Sequence, residues 1–313
     1  MYEEIHRKII DAKHILLVSH QNPDADTLGS ALAMYDALKR ENKKVSIYCA
    51  TQELPRIYDF LPNVTKVKSA TPKFFDLLIS LDCGSFDRLG LDKQDVTLVN
   101  IDHHLSNEMF GDINLVDTKS ASAGMVVYEF LKHSGFKISA DCASCLYVTI
   151  VEDTGFFSYS TLSRKTFETA AELIGLGANA NEIAMFLKGR VSLAKTRLLG
   201  YVYNNFELYF DAKVAVIVIS GDILAKTGAK KYDTKNIVNV LRDIITVKVS
   251  VLILEERDGS HKVSLRSEGD IDISAISQDF GGGGHKNSAG FNVAEEDCEN
   301  LKKSILVKLK RIV

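Results

Sequence analysis

The sequence holds two compact clusters of histidine and aspartate: His20-x3-Asp24-x-Asp26 and Asp102-His103-His104. Each cluster directly follows a short apolar run rich in β-branched residues, residues 15–19 for the first and 96–101 for the second. Such runs predict buried strands. Carboxylates packed this closely raise each other's pKa unless a cation neutralises them, and carboxylates mixed with imidazoles suit a divalent transition metal. The two clusters therefore indicate a metal-dependent hydrolase.

The spacing of Asp24 and Asp26 fits a pair of metal ions. In an extended segment, residues two apart point to the same side with Cα atoms about 7 Å apart. Metal ions in two-metal hydrolytic sites lie about 3.5–4 Å apart, so one carboxylate can serve each ion. Pro23 favours the extended conformation. As an alternative, Asp26 or Thr27 could cap the helix that follows.

Two further aspartates lie at the ends of predicted elements. Asp82 follows the apolar run 77–81, where a carboxylate could bridge two ions; with Gly84 nearby, an ordinary turn is the alternative. Asp153 closes a helical pattern, and an acidic residue there opposes the helix dipole, a cost that a metal would offset. A plain C-terminal turn remains the alternative for Asp153.

The adjacent His103 and His104 face opposite sides of a strand-like segment, so one can bind metal while the other faces a substrate phosphate. Asp102 can orient the ligand imidazole. The remaining histidines outside the glycine-rich segment lack acidic neighbours and are expected at the surface or in structural roles: His6, His14, His133 and His261.

Strands and helices alternate in the first half of the chain, which predicts an α/β fold with a parallel sheet covered by helices on both faces. Strands are expected at 15–19, 45–49, 77–81 and 98–101. His20, Asp82 and Asp102 all follow strands, and ligands of such sheets bind at the carboxyl ends of the strands.

Helical patterns dominate the region from about 122 to 200, with apolar stripes over 123–131, 142–151, 167–176 and 183–199. From about residue 214 a second, smaller α/β unit is predicted, with strands at 214–220, 247–255 and 262–266. We expect a catalytic domain over 1–187, a linker over 188–205 and a substrate-binding domain over 206–313, with the active site in the cleft between the domains.

The composition also limits the number of domains, the class of partner and the cellular compartment. A length of 313 residues favours two domains, and a net charge of −3 argues against a surface for long duplex nucleic acid. Five scattered cysteines indicate a reducing compartment, and Cys142 and Cys145 are expected in the core of a helix. The sequence shows neither a signal-peptide pattern nor an apolar run long enough for a membrane span, so we expect a cytoplasmic protein.

Five segments resemble one family in the right order. Residues 20–26, Asp82, residues 102–104 and Asp153-Thr154-Gly155 are similar to the four motifs of the DHH phosphoesterase superfamily. Gly281–His285 with Ala289-Gly290 resembles the glycine-rich motif of the DHH-associated C-terminal domain. The branch with the greatest similarity contains the nano-RNase/pAp phosphatases. Ser288, where relatives often carry alanine, leaves the fine substrate preference open.

The resemblance implies two Mn²⁺ ions, with Mg²⁺ or Co²⁺ as alternatives. One ion would be held by His20, Asp24 and Asp82. The other would be held by Asp26, Asp82, His103 and Asp153. His104 would lie toward the scissile phosphate, so that His104, Asp102 and Asp82 form the catalytic set. The second domain would bind substrate through Arg266, Ser267, Gly282, Gly283, Gly284 and His285, since glycine backbone can approach a phosphate and arginine can bind it bidentately.

The expected reaction is two-metal hydrolysis of a phosphate ester. Short oligoribonucleotides and 3′-phosphoadenosine 5′-phosphate (pAp) are the first choice of substrate, followed by cyclic or linear dinucleotides such as c-di-AMP and pApA, and then by pyrophosphate. A catalytically silent nucleotide-binding protein on the same fold is the alternative from another class. We expect no membrane partner; a homodimer remains open because the sequence carries no clear oligomer signal.

Overall fold

The computed structural model describes residues 1–159, 162–256, 258–294 and 297–313. Its contacts divide the chain into two compact units, Met1–Arg190 and Val191–Val313. Among the described helices, none is both long and apolar enough to cross a membrane.

The first unit is built on a six-stranded sheet in which all neighbouring strands are parallel. The strands are β1 (Ile15–Ser19), β2 (Val45–Cys49), β3 (Val67–Lys68), β4 (Leu77–Leu81), β5 (Thr97–Asp102) and β6 (Ile113–Val116). Their order across the sheet is β3-β2-β1-β4-β5-β6. The chain therefore moves one way from β1 to β3 and then resumes on the other side of β1, which creates a switch point between β1 and β4.

The α-helices of the first unit pack on one face of this sheet. They are α1 (Tyr2–Asp11), α2 (Ala25–Arg40), α3 (Ala123–His133), α4 (Ala140–Asp153), α5 (Arg164–Gly175) and α6 (Ala180–Gly189). All six contribute to one buried apolar cluster with the sheet. The other face packs against loop residues and a short 3₁₀ turn at Phe86–Leu89. The expectation of helices on both faces was therefore wrong for this unit.

Local signals explain where the helices of the first unit begin. A polar side chain accepts a hydrogen bond from the backbone near the start of α2, α3, α4, α5 and α6. These caps satisfy N–H groups that have no partner within the helix. The cap of α2 is Asp24, whose Oδ1 accepts from the Thr27 N–H at 3.3 Å; the two residues named as alternatives from sequence, Asp26 and Thr27, do not cap it.

The second unit has helices on both faces of a six-stranded mixed sheet. In this sheet β8 and β9 are parallel and the other neighbours antiparallel. The strands are β7 (Glu207–Tyr209), β8 (Val214–Ile219), β9 (Val249–Glu255), β10 (His261–Ser267), β11 (Gly283–His285) and β12 (Ser288–Val293). The helices are α7 (Leu193–Asn205), α8 (Gly221–Thr227), α9 (Ile237–Arg242), α10 (Ser274–Asp279) and α11 (Cys298–Leu309).

The segment 188–205, predicted as a linker, contains the end of α6 and all of α7. The predicted apolar stripe at 183–199 is divided into these two helices, and Ser192 caps the second by accepting from the Lys195 N–H. Leu198 and Val202 of α7 are fully buried in an apolar cluster of the second unit. This helix is thus part of a packed core.

Candidate metal centre

The histidines and aspartates of the first unit meet at the carboxyl end of its sheet. His20 follows β1, Asp82 follows β4, and His103 and His104 follow β5. The β1–β4 switch point thus lies between His20 and Asp82. The ligand atoms form three overlapping groups, within each of which all atoms lie within 4.8 Å of one another: His20, Asp24 and Asp82; Asp26, His103 and Asp153; Asp82, Asp102, His103 and His104.

Asp82 belongs to the first group and also approaches His103 of the second. Its Oδ2 is 3.5 Å from His20 Nε2, and its Oδ1 is 3.6 Å from His103 Nε2. The residue has a left-handed φ of 56°, a conformation that aspartate tolerates better than most side chains. Its N–H donates to the Ile101 carbonyl at 2.9 Å, which ties the strand end to β5. Each carboxylate oxygen is thereby directed to a different histidine.

His20 presents an unprotonated nitrogen to two carboxylates. Its Nδ1 is 2.8 Å from the Gln21 carbonyl, so Nδ1 carries the proton and Nε2 keeps its lone pair. Nε2 is 3.8 Å from Asp24 Oδ1. These separations exceed the usual length of an N–H···O hydrogen bond. They lie 0.1–0.4 Å beyond the spacing of about 3.0–3.4 Å between donors that are about 2.1 Å from one metal ion, so a small inward movement would let both residues bind the same ion. Burial lowers the pKa of His20, which keeps it neutral and able to bind a metal.

His103 has the same arrangement in the second group. Its Nδ1 is 3.2 Å from the Ser120 carbonyl, and its Nε2 is 3.5 Å from both Asp26 Oδ2 and Asp153 Oδ2. Burial, followed by the charge of His104, lowers the pKa of His103. Neutral imidazole nitrogens thus point at carboxylate oxygens in both groups, an arrangement that is repulsive without a cation between them.

The electrostatics of the buried carboxylates also favour a cation. Burial is the largest cause that raises the pKa of Asp82, and the nearby charge of Asp26 adds to it. Burial and the charge of Asp153 raise the pKa of Asp26, although Asp26 also accepts backbone hydrogen bonds at the start of α3. Within the described part of the chain, Asp82 Oδ1 is a buried oxygen without a hydrogen-bond partner. A divalent ion would satisfy that oxygen and offset the repulsion, so these residues fit a metal centre.

His104 is directed differently from His103. Its Nδ1 is 2.8 Å from Asp102 Oδ1, and the side chain is 37% exposed. The hydrogen bond to Asp102 raises the pKa of His104, which favours the protonated imidazole. Although burial opposes it, bonds from His104 and then Asn107 lower the pKa of Asp102, so this carboxylate is charged. The pair can hold a proton close to the candidate metal centre.

Two positioning residues escaped the sequence analysis. Glu152 accepts from the Ala25 N–H at 2.6 Å and from the Tyr58 hydroxyl at 2.7 Å, so it fixes the start of α2 beside the end of α4. Asn107 donates through Nδ2 to the Cys83 carbonyl at 3.1 Å. The acidic Glu152 before Asp153 was visible in the sequence, but nothing there indicates a partner 127 residues away.

Thr27 was considered from sequence only as a helix cap. Its hydroxyl donates to the Leu81 carbonyl at 2.9 Å and accepts from the His20 N–H at 3.3 Å. A single buried hydroxyl thus links the ends of β1 and β4 to the first turn of α2. These bonds hold the backbone on which His20, Asp24 and Asp82 are placed.

The residues expected to bind substrate lie in or next to β10 and β11, which both pair with β12. Arg266 and Ser267 end β10, and Gly283–His285 forms β11, an exposed strand paired with β12. Arg266 donates to the Leu265 carbonyl. Ser267 is buried and its hydroxyl donates to the Ile271 carbonyl at 2.7 Å, so in this structure it stabilises the loop after β10.

The glycines of this segment have different reasons to be glycine. A Cβ on Gly282 would lie 2.3 Å from the Gly290 carbonyl, and Gly284 combines a φ of 143° with a Cβ 2.4 Å from the Ser288 carbonyl. Both are required by the packing of β11 on β12. Gly283 has no atom near its Cβ position, so its backbone is open to an approaching ligand.

Comparison with known proteins gives matches along both units. Residues 14–150 match the N-terminal domain of the DHH family, and residues 211–311 match the DHHA1 domain. The chain is 28% identical to the bifunctional oligoribonuclease and PAP phosphatase NrnA of Thermus thermophilus, over 93% of this chain and 88% of the relative. It is 27% identical to the Bacillus subtilis protein of the same name, over 95% of each. The crystal structure of an exopolyphosphatase-related protein from Bacteroides fragilis superposes with a TM-score of 0.89 at 26% identity, covering 99% of this chain and 95% of that one.

Proposed function

Because this chain belongs to the DHH family and carries a DHHA1 domain, we propose that it hydrolyses short oligoribonucleotides and pAp with two Mn²⁺ ions. The chain is a hydrolase of phosphate esters. The choice of these substrates is supported by relatives that match it across both units. The observation that carries the two-ion proposal is Asp82, which directs one oxygen to each of two ligand groups.

The proposed ligand sets follow the two groups around Asp82. His20, Asp24 and Asp82 would hold one ion. Asp26, His103, Asp153 and Asp82 would hold the other. When bound, such ions supply a hydroxide nucleophile at neutral pH and stabilise charge on the phosphoryl oxygens. Imidazole and carboxylate donors together suit Mn²⁺.

We assign the proton chemistry to the pair of Asp102 and His104. Asp102 holds His104 Nδ1, so that Nε2 is the atom available to a phosphate or a leaving oxygen. The raised pKa of His104 keeps it protonated over more of the neutral range than a free histidine. In that form it donates a charge-assisted hydrogen bond, which strengthens as charge develops on the phosphate.

The second unit would supply the contacts that select the substrate. The guanidinium of Arg266, the open backbone at Gly283 and the exposed imidazole of His285 are suited to a terminal phosphate. Arg266→Lys should raise the KM for pAp more than it lowers kcat. Lys262→Ala is a matched control, because Lys262 is an exposed cation on the same strand.

A substrate panel tests the proposal. Metal-free protein is mixed with Mn²⁺, Mg²⁺ or Co²⁺ and assayed on pAp, a dinucleotide, a five-nucleotide RNA, c-di-AMP and pyrophosphate, with a chelator control. We expect turnover of pAp and short RNA with Mn²⁺ and no turnover by Asp82→Ala. Turnover confined to pyrophosphate or c-di-AMP would refute the proposed substrates, and turnover in excess chelator would refute the metal-dependent mechanism.

A further inference from the structure

Arg88 lies beside the candidate metal centre on a segment that is firmly held. It belongs to the 3₁₀ turn Phe86–Leu89, which follows Asp82 and β4. The Arg88 carbonyl accepts from the Gln21 N–H at 2.8 Å, next to His20. Leu89 is fully buried against the sheet, and the Tyr48 hydroxyl donates to the Gly90 carbonyl at 2.8 Å. The backbone of Arg88 is therefore fixed to the ends of both strands that flank the switch point.

The side chain of Arg88, in contrast, is exposed. In the described part of the chain, no carboxylate oxygen lies within 4.0 Å of its guanidinium, although at least five aspartates surround the neighbouring centre. Its backbone carbonyl is nevertheless bonded to the residue that directly follows His20. This arginine thus lies beside the candidate metal centre without a carboxylate partner in the described residues.

Charge balance shows what this guanidinium could do. Two divalent ions would balance the four carboxylates of the two ligand sets. The guanidinium of Arg88 would then add a positive charge beside them. A substrate phosphate carries one or two negative charges, and its binding is favoured by an excess positive charge on the approach to the ions.

We propose that Arg88 binds a phosphate group of the substrate at the metal centre. This inference rests on the proposed function, since it names a further substrate contact of the same site. The planar guanidinium can bind two phosphate oxygens at once, which a lysine cannot reproduce. The attachment of the turn fixes the backbone of Arg88 relative to His20 and Asp82, so the guanidinium has only its own side chain to order when phosphate binds.

Phosphate binding, measured separately from catalysis, tests this contact. Isothermal titration of Mn²⁺ into metal-free protein comes first, followed by titration of inorganic phosphate into the Mn²⁺-loaded protein. We expect Arg88→Ala to bind Mn²⁺ like the wild type and to weaken phosphate binding about 10- to 100-fold, the range for a lost charge-assisted hydrogen bond. Arg88→Lys should recover part of the loss.

Lys93→Ala is the matched control. Lys93 is an exposed cation five residues further on, but it lies before β5, at the opposite end of the sheet. Its loss should leave phosphate binding unchanged. Equal phosphate affinity in Arg88→Ala and wild type would overturn the proposal, as would a parallel loss of Mn²⁺ affinity. The protein could also hydrolyse none of the tested esters while Arg88→Ala loses phosphate affinity and keeps Mn²⁺ affinity. That result would support the phosphate contact of Arg88 and refute only the proposed substrates.

Discussion

Replacing Asp82 by asparagine should raise the free energy of unfolding of the metal-free protein and lower that of the metal-loaded protein. Without metal, Asp82 is a buried carboxylate close to Asp26, with one oxygen lacking a hydrogen bond. Asparagine removes the charge, tolerates the left-handed φ and places an N–H where a histidine lone pair can accept. We expect metal-free Asp82→Asn to be more stable than the wild type by about 1–3 kcal/mol, the usual cost of a buried unsatisfied polar group.

With Mn²⁺ bound, the wild type should be more stable than Asp82→Asn. Each ion at 100 times its dissociation constant adds about 2.7 kcal/mol to the stability of the native state. Asp82→Asn removes a charged ligand from both proposed sites, so up to about 5 kcal/mol of this metal-dependent stability should disappear. Urea unfolding followed by circular dichroism, with chelator and with Mn²⁺, measures both effects. The unfolding transition whose midpoint shifts when Mn²⁺ is added should be that of the first unit, because all the proposed ligands lie there.

The pH dependence follows from the raised pKa of Asp82. Between the unfolded value of about 3.9 and the raised native value, the native state binds more protons than the unfolded state, so wild-type stability falls as pH rises. The advantage of metal-free Asp82→Asn should therefore be present at pH 7.5 and absent near pH 4.

Asp102→Asn provides the matched control, because Asp102 is also a buried carboxylate at a strand end. Bonds from His104 and Asn107 outweigh its burial and lower its pKa, so its charge stabilises the native state at pH 7.5. Metal-free Asp102→Asn should thus be less stable than the wild type. A loss of stability in both metal-free variants, or equal Mn²⁺ stabilisation of Asp82→Asn and wild type, would refute this reasoning.

Four other substitutions test the supporting structure. Glu152→Gln should weaken Mn²⁺ binding about 10-fold in calorimetry, because its carboxylate fixes the start of α2; unchanged binding would remove that role. Gly282→Ala should lower the melting temperature because its Cβ meets a carbonyl at 2.3 Å, whereas Gly283→Ala should melt like the wild type and change only the KM for pAp. Asp76→Ala should cost about 1–2 kcal/mol at pH 7 in urea unfolding, because Asp76 accepts from the N–H groups of residues 13 and 14. The pKa of Asp76 is lowered, since these bonds outweigh its burial, so the difference should persist above pH 4 and vanish as pH falls further.

The strands that position the centre were predictable because each is short, apolar and buried on both faces. The runs before His20, Asp82 and Asp102 have this pattern, and the structure contains β1, β4 and β5 at those positions. In a parallel sheet, strand ends share an edge, so local sequence was enough to group these residues.

Other features depend on long-range packing and were missed. The edge strand β6 has only four residues and alternates buried with half-buried positions, which is a weak signal. The choice of one sheet face by all six helices depends on how distant segments pack. The break between α6 and α7 did have local signals in Gly189 and Ser192, which the continuous apolar stripe obscured.

Hydrolysis of both a phosphodiester and the monoester pAp by one centre would be chemically consistent with this site. At the carboxyl end of the first sheet, the carboxylates would hold the metal ions. The ions, the His104 imidazole and the nearby guanidinium would contact a phosphate irrespective of the nucleoside attached. Discrimination between nucleotides therefore has to come from contacts away from the reacting phosphate. For that reason, substitutions at Asp82 or Arg88 should slow all substrates in parallel, whereas substitutions at Gly283 or His285 should change the ratio of pAp to RNA turnover. Parallel effects from both sets would place substrate selection in the first unit instead.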